Sequence, residues 1–462
     1  MTDAGERSTE DRPGRTGARP GGGRTAVVTG MGAITPSGNT ADALWESVRD
    51  GRSAIDVLAG EEFAHLPVRI GGQVRDFDPL AHLPRALARR LSPVQHWAIA
   101  AADQALAQAL EVEQAQKDSN PGPSDDSRPS DVRASLPWDP TRVAILSATG
   151  SGPIDAMQAA TRAYDEDGAR GVPLTLSIHG AADGAGAVLS QRHGIRGTAH
   201  AVSATCASGG IALGEGMRLI RHGYADAVLV VGMEDCLGPV NLSSNANLRA
   251  LAAGFEDDPT AASRPFDRAR TGFVMSAGAA AILLEAEDIA HERGAVAQAR
   301  LVGFGSSSDA HHPTAPHPAG RGAAQAVRAC LADAGIDAHD PARAAQAVGH
   351  VNAHGTGTPA GDTAEAAALT EVLGPRAGGV PVTATKSSTG HLLGAAGVVE
   401  AILAVRTLTD GVLPPTLNLD DPEFADLDIV GPQSRPQAVD SVLSTSFGFG
   451  GHNAALLLER ST

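Results

Sequence analysis

A chain of 462 residues, 42% of them hydrophobic, can bury a large core, either as two domains or as one duplicated unit. A formal net charge of −17 argues against a general nucleic-acid binder, because phosphate neutralisation needs a dense basic face. The longest apolar stretches, at 225–232 and 277–284, are broken by Gly, Asp or Ser before they could cross a bilayer.

Residues 1–23 have no apolar run, so they cannot form a secretory signal and are expected to be a disordered tail. Three cysteines, Cys206, Cys236 and Cys330, give no disulfide framework and suit a reducing cytosol. Metal-type cysteine spacing is absent. Along the chain, residues 25–29 (TAVVT) predict a buried strand, followed by a Gly-Met-Gly turn and a helix over 40–49. The Ala- and Leu-rich stretch 85–111 predicts one helix. It runs into 116–137, whose PGPSDDSRPS core reads as a surface insertion. Strand-like runs at 142–147, 199–203, 227–231, 279–284, 349–352 and 442–446 then alternate with Ala-rich helical segments, a pattern of α/β layers around mainly buried sheets.

Four segments carry reactive side chains. In VSATCASGG, Cys206 sits ahead of a helix predicted over 211–222, where free backbone N–H groups and the helix dipole would favour a thiolate. Alone, Cys206 could equally be a buried small hydrophobe. VNAHGTGTPAGD places His354 at a strand end in a Gly-rich loop, which also fits a core or capping histidine. TATKSSTGHLLGAAG brings Lys386 and His391 together ahead of another small-residue helix, although a single lysine is more often a surface charge. STSFGFGGHN surrounds Phe447 and Phe449 with glycines that allow sharp turns, but the rings could be plain core aromatics.

Together, in this order, the four segments resemble the beta-ketoacyl-acyl carrier protein synthase family, of the elongating synthase II type, over residues 25–459. The flanks VVTGMGAITPSGN, AASRPFDRARTGFVMSAGAA, LVGFGSSSDAHH and LPPTLNLDDP agree. The resemblance implies a thiolase-like fold, a duplicated five-layered αβαβα architecture, with halves at 24–298 and 299–462. It implies Cys206 as the acyl-accepting nucleophile and His354 and His391 as the pair that stabilises the enolate of malonyl decarboxylation. Lys386 would fix the polar network, with Glu365 and Glu400 as acidic support. The backbone N–H groups of Cys206 and Phe447 would form the oxyanion hole, with the Phe447 ring as gate and Phe449 close to the substrate. Thr356 and Thr358 would bind the phosphopantetheine arm.

The same resemblance implies no metal or redox cofactor, substrates carried on the phosphopantetheine of an acyl carrier protein, and a cytoplasmic homodimer or heterodimer with a ketosynthase-like chain. A type II polyketide ketosynthase subunit would share all the catalytic residues. Carrier proteins of this chemistry are acidic, so docking needs local cations. Arg85, Arg89 and Arg90, expected on one helical stretch, and Arg249, expected in the loop after the active-site helix, are the candidates. Pro153, after Gly150-Ser151-Gly152, departs from the family pattern in the region expected to shape the acyl pocket.

Overall fold

The computed structural model describes residues 23–119, 136–374 and 379–461. The tail expected at 1–23 and the insertion expected at 116–137 fall mostly outside these residues.

The first half supplies strands β1 (Ala26–Ile34), β2 (Val143–Ala148), β3 (Ala199–Val202), β4 (Ala227–Glu234) and β5 (Gly278–Ala286). The second supplies β6 (Ala299–Ser308), β7 (His350–Asn352), β8 (Pro381–Thr383), β9 (Asp428–Ile429), β10 (Ser441–Gly448) and β11 (His452–Arg460). All eleven join in the order β9-β8-β7-β10-β11-β6-β1-β5-β4-β2-β3. Counted outward from the junction of β1 and β6, each half runs first, fifth, fourth, second, third strand, with β9 added at the far edge. The pairings repeat as well. In each half the second, third and fourth strands run parallel and the fifth runs antiparallel to its neighbours. This is the duplicated thiolase-like topology.

Burial alternates along strands covered on both faces. In β4, Val228 and Val230 join a central apolar cluster, while Leu229 and Val231 face an outer one. In β11, Leu456 and Leu458 face the centre and Leu457 the opposite outer layer. The central cluster holds helices Ser208–Arg221 and Ala396–Asp410, through Leu213, Met217, Val398 and Ile402. The outer layers hold helix Pro93–Ser119 on one side and helices Arg321–Asp333 and Pro359–Leu373 on the other. Five layers, αβαβα, result. The two central helices touch near their N-termini, where a Cβ on Gly397 would meet the Gly210 nitrogen at 2.5 Å.

Two local expectations change. The Gly-Met-Gly segment is not a turn but the middle of β1, because helix Pro93–Ser119 crosses it so closely that a Cβ on Gly30 or Gly32 would strike the carbonyls of Ala105 or Ala101. The helix expected over 85–111 is broken. A short helix, Arg85–Ala88, ends at Arg89, and a new one starts at Pro93, which lacks an N–H and suits the first helical position. The Gln95 side chain accepts the Ser92 N–H at 3.2 Å, the reach-back contact of a helix start.

Candidate active site

The reactive side chains come from the carboxyl ends of parallel strands. Cys206 follows β3, His354 follows β7, Lys386 and His391 follow β8, and the Phe447–Phe449 segment ends β10. Cys206, His354, His391, Phe447 and Phe449 line one cavity of about 440 Å³ together with Thr356 and Thr358. A second cavity of about 200 Å³ shares Gly150 and Ser151 with it and includes Pro153, which caps helix Ile154–Asp167.

His354 is held from several directions. Its backbone N–H is accepted by Glu365 Oε1 at 2.8 Å and by Thr445 Oγ1 at 3.0 Å, and its carbonyl accepts from Lys386 Nζ at 2.7 Å. Lys386 is buried, pairs with Glu400, and stands 3.3 Å from His354 Nδ1. An ammonium can only donate, so Nδ1 accepts and the ring proton sits on Nε2. That tautomer makes His354 a donor and leaves it no lone pair with which to deprotonate the thiol. The His391 ring lies edge-on to His354, centroids 5.3 Å apart, with Phe273 5.4 Å away on another side. Both His391 ring nitrogens are buried without a hydrogen-bond partner among the described residues. Burial, and then the Lys386 charge, push both imidazoles well below the ordinary histidine range, so both are neutral at pH 7.

The acids divide the work unequally. Glu400 pairs directly with Lys386; burial pushes its carboxyl up to about 7, against the pull of that ammonium. Glu365 instead accepts the N–H groups of His354 and Gly355 and the Thr445 hydroxyl, and so shapes the loop. Thr358 caps helix Pro359–Leu373 by accepting the Gly361 N–H, and its hydroxyl lies 3.1 Å from that of Thr356.

Cys206 lies two residues before helix Ser208–Arg221 and is 8% exposed. The expected thiolate is not its resting form: burial pushes the thiol up to about 12, outweighing Lys386 and the nearby backbone N–H groups. Those N–H groups belong to Phe449 and to Cys206 itself. The N–H groups beside the sulfur are thus those of Phe449 and Cys206, not the expected Phe447 and Cys206, and the ring carried by the glycine-flanked turn at the cavity is that of Phe449, so the expectations of Phe447 as oxyanion donor and as gate both shift to Phe449 as candidates. Phe447 lies within β10 opposite Asn453, where its peptide belongs to the ladder, and its ring packs 5.7 Å from His354.

The sequence reading missed Glu234. Fully buried at the end of β4, it accepts from the Gly150, Ser151 and Gly394 N–H groups and the Thr149 hydroxyl, tying the loop beside Cys206 to the loop after His391. An acid ending an apolar strand was the available signal. Of the docking candidates, Arg249 does not lie in the loop after the active-site helix as expected, because β4 and helix Pro239–Asn247 intervene; it takes a left-handed backbone (φ 56°) and lines the cavity mouth. Arg85, Arg89 and Arg90 are exposed but do not line the cavity, and the interruption of the helix at 89–92 takes them off a single helix.

The fold and the cysteine-histidine chamber define an acyl-transferring condensing enzyme. Residues 24–290 match the N-terminal domain and 298–420 the C-terminal domain of beta-ketoacyl synthases. The chain belongs to the beta-ketoacyl synthase family. It is 36% identical to the 3-oxoacyl-acyl-carrier-protein synthase 2 of Synechocystis sp. over 95% of this chain and 98% of that protein, and 37% identical to the Vibrio harveyi synthase 2 over 95% and 99%. Among solved structures it resembles a beta-ketoacyl synthase from Burkholderia phymatum (29% identity, TM-score 0.80, covering 95% and 100%). It is similarly close to a type II polyketide ketosynthase, bound to a hexaketide, in complex with its acyl carrier protein (27%, TM-score 0.81, covering 95% and 100%).

Proposed function

We propose that this chain elongates acyl thioesters by decarboxylative condensation. Cys206 takes an acyl group from a carrier thioester and releases the carrier thiol. A malonyl carrier then loses carbon dioxide, and the enolate carbon attacks the acyl-cysteine carbonyl, expelling the Cys206 sulfur. The observation that carries this reading is the convergence of a buried thiol with two neutral imidazoles, one of them fixed as a donor by Lys386. Two neutral N–H donors suit an enolate oxygen, and the Phe449 and Cys206 N–H groups suit the oxyanion of acyl transfer. Thr356 and Thr358 offer hydroxyls to the phosphopantetheine arm. The Phe449 ring, between Gly448 and Gly450, is the gate. No metal or redox cofactor enters these steps.

The 33–37% identity to synthase 2 relatives favours fatty-acid elongation. Likeness to a type II polyketide ketosynthase, and to a ketosynthase solved with a chain length factor, favours a polyketide subunit as the second reading. β3 is an edge strand whose Ala199 and His200 are exposed, and the neighbouring segments expose Met157, Tyr164 and Ile178. This surface suits a second ketosynthase-like chain, whether a copy of this one or not, in the cytoplasm. Arg249 at the mouth is the docking cation for an acidic carrier. Intact-mass measurement after incubation with a panel of acyl carriers tests the reading: the expected adduct appears on Cys206 from at least one carrier, and no adduct from any carrier would overturn it.

A further inference from the structure

Thr205 immediately precedes the nucleophile and has a left-handed backbone, φ 49°, a region that β-branched residues enter at a steric cost. Its hydroxyl donates to the Phe449 carbonyl at 2.8 Å, and its own carbonyl accepts from Ser208 Oγ at 2.7 Å. Gly448 passes so near that a Cβ there would lie 2.2 Å from Thr205 Oγ1. The strained residue thus stands in contact with the turn Phe449–Gly451, whose Phe449 N–H faces the Cys206 sulfur. Three other ties hold this turn from outside: the Gly450 N–H donates to Pro313 O at 2.6 Å, and Gly451 O accepts the Asp309 N–H at 2.9 Å and the Asn453 Nδ2 at 3.1 Å. The Thr205 bond differs from all three because it comes from the nucleophile's own elbow, in the opposite half of the chain.

We propose that Thr205 is a positioning residue whose hydroxyl latches the Phe449 peptide against Cys206, holding the phenyl ring closed over the thiol until the bond breaks. The proposal rests on Phe449 acting as the gate. When the ring swings out, the Phe449 carbonyl must leave Thr205 Oγ1. With the other ties to the turn unchanged, loss of this one hydrogen bond should raise the open population by a factor of roughly 3 to 10.

Alkylation of Cys206 by iodoacetamide, read by intact mass, tests the latch without using the condensation reaction. Thr205→Val keeps the branched Cβ and loses the hydroxyl; it is expected to alkylate roughly 3 to 10 times faster than the parent enzyme, with the same dependence on pH, because access and not acidity has changed. Thr205→Ser keeps the hydroxyl and is expected to return to the parent rate. If Val does not fold, Thr205→Ala against Thr205→Ser makes the same comparison. Equal rates for the hydroxyl-bearing and hydroxyl-free variants would overturn the latch, as would a shift in pH dependence that accounts for the whole increase. The parent enzyme's failure to take an acyl group from any carrier would overturn the proposed function while leaving this comparison readable.

Discussion

Lys386 Nζ stands 3.3 Å from Nδ1 of His354 and donates to the carbonyl of the same residue at 2.7 Å, so one side chain sets both the ring tautomer and the backbone position of a site histidine. Its other partner, Glu400, balances its charge. Positioning and charge balance can therefore be separated by mutation. Lys386→Met is expected to cost about 3 kcal/mol of stability, because it leaves the buried Glu400 carboxyl without its ion partner, and to slow malonyl decarboxylation. Adding Glu400→Gln should restore much of the stability in thermal melts and none of the decarboxylation rate. Recovery of both would mean that Lys386 serves only to neutralise Glu400.

His391 separates the two half-reactions. Its ring nitrogens, without a hydrogen-bond partner among the described residues, can serve an enolate oxygen, whereas acyl transfer relies on the backbone N–H groups of Phe449 and Cys206. His391→Ala should still acquire an acyl mass on Cys206 but release carbon dioxide from malonyl carrier about 10² to 10³ times more slowly, as for loss of a single oxyanion donor. Decarboxylation at the parent rate would remove the paired-histidine mechanism.

The two steps should also differ in pH dependence. Both imidazoles are held well below 6.5, so they stay neutral as pH falls from about 7.5 to about 5.5, and any change in decarboxylation across that interval should follow the Glu400 carboxyl, raised to about 7, and disappear in Glu400→Gln. A loss centred near the ordinary histidine value that persists in Glu400→Gln would show that an imidazole protonates. The Cys206 thiol, raised to about 12, ionises further at each step upward in pH, so its alkylation should keep rising with no plateau below about pH 9. Peptide mapping should place the label on Cys206, because Cys236 and Cys330 are fully buried. Cys206→Ala should abolish condensation.

Glu234 can be tested by stability. Glu234→Gln turns an amide NH2 toward N–H donors and is expected to cost about 1–3 kcal/mol, read as a lowered melting temperature. A melting curve unchanged from the parent would mean that the loops around Gly150 and Gly394 hold without it.

Arg249→Glu should raise KM for carrier-bound substrate and weaken the salt dependence of that KM, while a small acyl thioester that bypasses docking reacts as before. Arg89→Glu with Arg90→Glu, away from the cavity mouth, should change KM little. Steady-state kinetics with both substrate types separates these outcomes.

The chemistry was more legible than its supports. Cys206, His354, Lys386 and His391 stand in short runs of small residues at strand ends, and the structure brings all four together. Glu234 stayed hidden because its partners are backbone amides from loops 84 and 160 residues away in sequence. Two phenylalanines in one Gly-rich run were indistinguishable until β10 was seen to end between them, leaving Phe449 in the turn. Helix 85–111 looked continuous by composition, but Pro93 reset it. The resting thiol was misread because a helix N-terminus can be read from sequence, whereas the depth of burial that outweighs it depends on side chains from the other half.

The duplication also divides custody of the two substrates. The thiol that would store the growing chain belongs to the first copy of the repeat, and both imidazoles that would act on the incoming extender belong to the second. A lesion in one copy need not silence the other. A chain of this architecture could lose its cysteine and still release carbon dioxide, or lose a histidine and remain an acyl trap. A paired subunit that has drifted out of chain building could in this way keep a fragment of the reaction.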